Sequence, residues 1–219
     1  MPGTIVVARS LRRLEVTFAH GAVLCDFDGV LRHFDDQARA DIETRYGLAS
    51  GELLKAAFDP AIMTPACLGR ITAEEWVERL ARVVGEPAAE EFSRVPSWID
   101  EEVKAILAGL QQHVPVILVT NAMTSLERQL DELGLTYFAD DVVSSARVGV
   151  AKPDPRIYQI AAERAGVPAE RCLFVDDRLE NVEAAMALGM AAVHFTSPAD
   201  LQRHVEEATF QGDGAAEDV

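Results

Sequence analysis

Five short apolar runs alternate with helix-like stretches along most of this chain, and no other feature restricts its fold as much. The runs are Ala22 to Cys25, Val114 to Val119, Asp141 to Ser144, Arg171 to Val175 and Ala191 to Phe195. The first is apolar throughout, as a strand covered on both faces requires. Between the runs, residues 100–112, 125–133, 154–165, 179–188 and 198–206 carry helical patterns. In the first of these, Val103, Ile106, Leu107 and Leu110 share one face. Gly134, Gly166 and Gly189 stand where three of the helices should stop. Strands that alternate with helices predict an α/β fold: a parallel Rossmann-like sheet with flanking helices. Pro115 is expected near the start of its strand, where a missing N–H costs little.

Residues 36–98 break the alternation. Helical periodicity recurs near 38–46, 51–57, 72–84 and 88–93, and Thr72-Ala73-Glu74-Glu75 opens one helix as a capping box. No convincing strand occurs there. The segment predicts an inserted all-helical unit between the first strand and the rest of the sheet. The expected division is a catalytic core of 21–35 and 99–208 and a helical insert of 36–98. Residues 1–20 form an N-terminal extension of unknown role, and 209–219 a disordered tail, small and acidic from Gly212 onward.

In open parallel sheets, ligands bind beyond the carboxyl ends of the strands. Four polar signatures fall at such ends: Asp26-Phe27-Asp28-Gly29, Thr120-Asn121, Lys152-Pro153-Asp154-Pro155 and Asp176-Asp177. Asp26 and Asp28, crowded at the mouth of a sheet, repel each other. A divalent cation, and a division of labour between nucleophile and acid/base, account for their coexistence. Each signature alone has a plainer reading. Asp-x-Asp-Gly can be a turn, Thr-Asn a helix cap, Lys152 a solvated lysine, and Asp176-Asp177 negative charge at a helix N-terminus. The four together, each at the correct end of a strand, outweigh those readings.

Bulk properties exclude several classes. The net charge of −16 opposes any phosphate backbone, which argues against nucleic-acid binding. No apolar run approaches the ~18 residues of a membrane span, so no membrane partner is expected. The N-terminal arginines Arg9, Arg12 and Arg13 follow the apolar piece, the reverse of a secretory signal. The three cysteines, Cys25, Cys67 and Cys172, have no metal-ligand spacing and predict no disulfide framework, which fits a reducing cytoplasm.

The ordered set D-F-D-G-V at 26–30, V-T-N at 119–121, A-K-P-D-P at 151–155 and F-V-D-D-R-L-E-N at 174–181 resembles the haloacid dehalogenase-like hydrolase superfamily. The resemblance spans residues 21 to about 207 and casts the helical insert as a small type-one cap. It implies roles residue by residue. Asp26 would be the nucleophile toward phosphorus. Asp28 would protonate the leaving alcohol and then activate water. Thr120 would bind phosphoryl oxygens through its hydroxyl, Asn121 mainly through its backbone N–H, and Lys152 would offset their charge. Mg²⁺ would lie among Asp26, the Asp28 backbone carbonyl and Asp177, with Asp176 either a further metal group or a partner of Lys152. His33 and Phe34 are candidate substrate contacts, with a packed hinge as the other reading. Arg70, Trp76 and Met63 are candidates for cap specificity, with packing or surface as the default. Asn181 is expected to order the loop after the fourth motif.

Asp28 itself narrows the chemistry, because a leaving alkoxide needs a proton and a leaving halide does not. The implied activity is a Mg²⁺-dependent phosphatase for a small phosphorylated metabolite, with a sugar phosphate as the expected kind. Alternatives are a phosphomutase of the same fold, a signalling phospho-acceptor and a non-catalytic relative. A phospho-acceptor of the receiver type carries its acidic pair first in the chain, where here Asp176-Asp177 comes last. A non-catalytic relative would be expected to lack a motif acid.

Overall fold

The computed structural model describes residues 16–211. The expectations for 1–15 and 212–219 lie outside them. The centre is a five-stranded parallel sheet built from β2 (Ala22–Cys25), β5 (Val116–Thr120), β6 (Asp141–Ser144), β7 (Cys172–Asp176) and β8 (Ala191–His194). Their spatial order is β6-β5-β2-β7-β8, so the chain leaves β2 first to one side and later to the other. β2 is therefore the switch point, where a crevice opens beyond the strand ends.

Alternation along the strands divides the core into two layers. Val23 and Cys25 face one side with Leu118 and Val175, and pack on α6 (Glu101–Leu110), α7 (Leu126–Glu132) and α11 (Pro198–Glu207) through Leu107, Leu130 and Leu201. Ala22 and Leu24 face the other side with Val119 and Phe174, and pack on α9 (Pro155–Ala165) and α10 (Leu179–Ala187) through Ile157, Tyr158 and Ala185. Register places Ala22 beside Cys172 and Cys25 beside Val175. Cys25 and Cys172 thus lie on opposite faces, and both are free thiols.

The interrupting segment folds as α1 (Asp36–Tyr46), α2 (Glu52–Ala57), α3 (Pro60–Cys67), α4 (Ala73–Val84) and α5 (Glu86–Phe92). Ile42, Leu53, Trp76, Leu80 and Ala88 form its own apolar cluster. The capping box of α4 forms as the sequence predicts, with Thr72 and Glu75 exchanging hydrogen bonds. Trp76 is a core residue of this cluster, its indole N–H donating to the Ala57 carbonyl at 3.4 Å. Met63 packs partly on the same cluster and Arg70 is exposed.

Several short elements were not predicted. Residues 97–99 are not helical: β4 (Ser97–Ile99) pairs antiparallel with β3 (Arg32–Phe34), so the two connections to the insert run side by side as a ribbon. Thr209–Gln211, assigned from sequence to the tail, forms β9 and pairs antiparallel with β1 (Val16–Phe18). α3 and the one-turn α8 (Ser145–Val148) complete the set. Three-residue strands carry no readable period and exist only through a partner. α3 holds Pro65, which obscures its pattern.

Candidate active site

β2, β5 and β7 lie side by side, and their carboxyl ends bring three of the four signatures to one place. The Asp26 amide still donates to the Val175 carbonyl at 2.8 Å, so the ladder holds this residue after β2 itself has ended. Thr120 and Asp176 are the last residues of β5 and β7 and are almost wholly buried. Lys152 enters from the loop before α9. Its ammonium sits between two carboxylates, 2.8 Å from Asp26 Oδ1 and 2.7 Å from Asp176 Oδ2.

Asn121 explains how Lys152 is held. Its side-chain amide donates to the Lys152 carbonyl at 2.8 Å, and its Oδ1 accepts from the Lys152 amide at 2.7 Å. The side chain is thereby committed to the lysine's backbone, a strut between the second and third signatures. Asn181 does similar work at the fourth. Its Nδ2 donates to both Asp176 oxygens at 2.9 and 3.1 Å, while its own carbonyl accepts from the Tyr158 hydroxyl at 3.0 Å. The Arg178 amide also donates to Asp176.

Asp26 accepts two hydrogen bonds, from the Phe27 amide at 2.7 Å and from Lys152, both on Oδ1. The second oxygen accepts none among the described residues, which suits a group that must reach a reacting atom. Burial, followed by the repulsion of Asp176, pushes the Asp26 carboxyl up to about 8 against the opposing pull of Lys152. Burial also pulls the Lys152 ammonium down, but the two carboxylates outweigh it and the net shift is upward. Asp177 is held above the ordinary carboxylate range, first by partial burial and then by Asp176.

Oxygen atoms of Asp26, Asp176 and Asp177 lie within 4.8 Å of one another. Three carboxylates face one ammonium, so the fully ionised cluster lacks two positive charges. At ~4 Å a single like-charge pair costs about 4 kcal/mol at an effective dielectric of ~20. An all-oxygen donor set with that deficit fits a hard divalent cation such as Mg²⁺. Gly29 makes the approach of Asp177 feasible. Its φ is +89°, and a Cβ there would stand 2.3 Å from Asp177 Oδ2. Asp177 therefore lies against the backbone of the first signature, while the oxygens of Asp176 accept from Lys152, Asn181 and the Arg178 amide.

The side chain of Asp28 stands apart from this cluster. Arg32 grips it from β3, with Nε 2.5 Å from Oδ1 and Nη2 2.9 Å from Oδ2. Sequence reasoning missed Arg32, because a spacing of four residues signals an ion pair only on a helix, and 28–32 is a turn that leads into β3. His33 and Phe34 lie in the same ribbon rather than among the acids. His33 Nε2 is 3.7 Å from Asp100 Oδ2 and its ring neighbours Trp98, while the Phe34 ring stacks on Arg32 and Arg39. His194 Nε2 lies 3.0 Å from the Asp177 carbonyl.

Comparison with known proteins extends these observations. Residues 20–189 match the family described as haloacid dehalogenase-like hydrolase. A curated protein named phosphatase MT3486, from Mycobacterium tuberculosis, is 32% identical over 184 residues, covering 78% of this chain and 85% of its own. A phosphoserine phosphatase of Thermus thermophilus is 33% identical over 116 residues, 52% of this chain and 46% of that protein. Among solved structures, a HAD family enzyme of Bacteroides thetaiotaomicron, crystallised with magnesium and inorganic phosphate, superposes with a TM-score of 0.65 at 20% identity, covering 79% of this chain and 92% of its own.

Proposed function

The chain belongs to the haloacid dehalogenase-like hydrolase family, and from that premise we propose that it is a Mg²⁺-dependent phosphatase that hydrolyses a small phosphomonoester, such as a sugar phosphate, through a phosphorylated Asp26. The observation that carries this reading is the convergence of Asp26, Lys152, Asp176 and Asp177 at the carboxyl ends of adjacent strands. Phosphatases among the similar proteins support it.

In the first step the unpaired oxygen of Asp26 attacks phosphorus, and the bond from phosphorus to the leaving oxygen breaks. Asp28 supplies a proton to that oxygen, and the alcohol departs. Asp28, now ionised, takes a proton from water as the water oxygen attacks phosphorus. The bond to Asp26 breaks, releasing inorganic phosphate and the free carboxylate. The Lys152 ammonium offsets charge on the nucleophile and on the transferring group. Thr120 and the Asn121 backbone N–H bind phosphoryl oxygens, and the strut from the Asn121 side chain keeps Lys152 in register. Asp26, Asp177, the Asp28 carbonyl and, behind them, Asp176 would hold Mg²⁺, which when bound supplies positive charge to the phosphoryl oxygens. The helical insert acts as a cap that selects the leaving group, with His33 and Phe34 in its hinge. No helix among the described residues is long and apolar enough to cross a membrane, and we place the reaction in the cytoplasm.

The test is hydrolysis of a panel of phosphomonoesters by the purified chain. Phosphate release should stop with EDTA and return with Mg²⁺. Asp26→Asn should lower kcat by about 10⁴-fold or more with an unchanged circular dichroism spectrum. Activity indifferent to chelation, or substantial turnover by Asp26→Asn, would overturn the assignment. Phosphate release that needs a bisphosphate primer would mark a mutase instead.

A further inference from the structure

The grip of Arg32 on Asp28 is a built feature that the mechanism above does not use. Arg32 is only 5% exposed. Its guanidinium lies 4.4 Å from the centre of the Phe27 ring and 4.7 Å from that of Phe34. Its Nη1 donates to Gln129 Oε1 at 3.0 Å, and Gln129 Nε2 reaches Ser125 Oγ at 3.3 Å. The two rings and the glutamine hold the guanidinium in place. The remaining edge presents a planar fork to Asp28, the geometry that suits a bidentate carboxylate pair.

The local backbone places this fork. Gly29, at positive φ, turns the chain so that the Arg32 amide donates to the Phe27 carbonyl at 2.7 Å and the Gly29 amide to the Arg32 carbonyl at 2.8 Å. Arg32 thus returns to the residue it must hold. The side chain of Asp28, by contrast, is 37% exposed. Without the fork, nothing among the described side chains hydrogen-bonds its carboxylate, and it would be free to sample other rotamers.

We propose that Arg32 is a positioning residue for proton transfer: it fixes the Asp28 carboxylate in the orientation that serves the leaving oxygen and, in the second step, the attacking water. Gln129 and the rings of Phe27 and Phe34 hold Arg32 in turn. This rests on the role of Asp28 in the proposed phosphatase. It separates the two acids of the first signature by partner, since Asp26 is paired with Lys152 and Asp28 with Arg32.

The experiment compares an alkyl phosphomonoester, whose alkoxide needs a proton, with p-nitrophenyl phosphate, whose leaving group does not. Asp28→Asn calibrates the selective loss. Arg32→Met keeps an apolar stem against the two rings and removes the fork. It should lower kcat on the alkyl substrate about 10-fold or more beyond any loss on the aryl substrate, with KM changed by less than about twofold. Arg32→Lys should recover part of the alkyl activity, and Asp28→Asn/Arg32→Met should be no slower than Asp28→Asn alone. Should Arg32→Met fail to fold, Gln129→Leu carries the test, with a smaller loss of the same selectivity. Equal losses on both substrates, alongside a selective Asp28→Asn, would reduce Arg32 to a structural ion pair. An unselective Asp28→Asn would remove the proton-transfer role of Asp28 itself, a separate failure.

Discussion

Lys152 shows how one residue can be decisive without being distinctive. Its ammonium is the one cation within hydrogen-bond reach of Asp26 and Asp176 among the described residues, and its side chain is 1% exposed. Taking away one partner of a buried ion pair is costly because the other charge stays behind, typically about 3–5 kcal/mol. Lys152→Met should therefore lower the stability of the metal-free protein by about 3 kcal/mol or more, as read by urea denaturation. A loss below about 1 kcal/mol would mean that water or a proton compensates the carboxylates easily. Asp177 is decisive in another way. The bare Cα of Gly29 gives it room, and no substitution at Asp177 itself reveals that dependence.

Elements add constraints that single residues lack. The β1–β9 ribbon ties the entry of the chain to its exit, and a histidine pair lies beside it. His20 Nε2 and His204 Nε2 are 3.1 Å apart, with the rings stacked at 5.3 Å between centres. One ring must donate and the other accept, so the contact requires the accepting ring to be neutral and cannot form between two protonated rings. Burial is the chief cause that lowers both. His204 and Arg171 lower His20 further, while Glu207 opposes the shift of His204. The folded values lie below the ordinary 6.5, so the unfolded chain binds protons first as pH falls. The stability contribution of the pair is complete above 6.5 and is lost as pH drops through the folded values. Urea denaturation should show wild-type stability falling from pH 7.5 to about 5.5 more than that of His20→Phe/His204→Phe. Parallel profiles for the two proteins would show that the pair does not titrate with folding.

At the scale of the whole molecule, charge and topology act together. A net charge of −16 repels an anionic phosphate ester, and Lys152 and a bound cation act only at close range. Salt screens the long-range repulsion, with a Debye length of about 10 Å at 0.1 M. kcat/KM for a dianionic substrate should therefore rise as ionic strength increases from low salt, whereas a decline would mean that a local positive field dominates the approach. Much of the fold was legible from periodicity. The five apolar runs became the five strands of the central sheet, and their carboxyl ends became the site, because an apolar strand must be covered on both faces and a parallel sheet needs crossovers. The β3–β4 and β1–β9 ribbons were not legible, since three residues carry no period and only a distant partner makes them strands. The sequence by itself determined which residues are candidates for the proposed chemistry: the acids of 26, 28, 176 and 177, and the lysine at 152. Only the tertiary structure decided how they are paired. Lys152 went to Asp26 and Asp176, Asp177 to the bare face of Gly29, and Asp28 to Arg32, because the distance between charges, on which their energy depends, is set by strand order and turn geometry rather than by spacing along the chain.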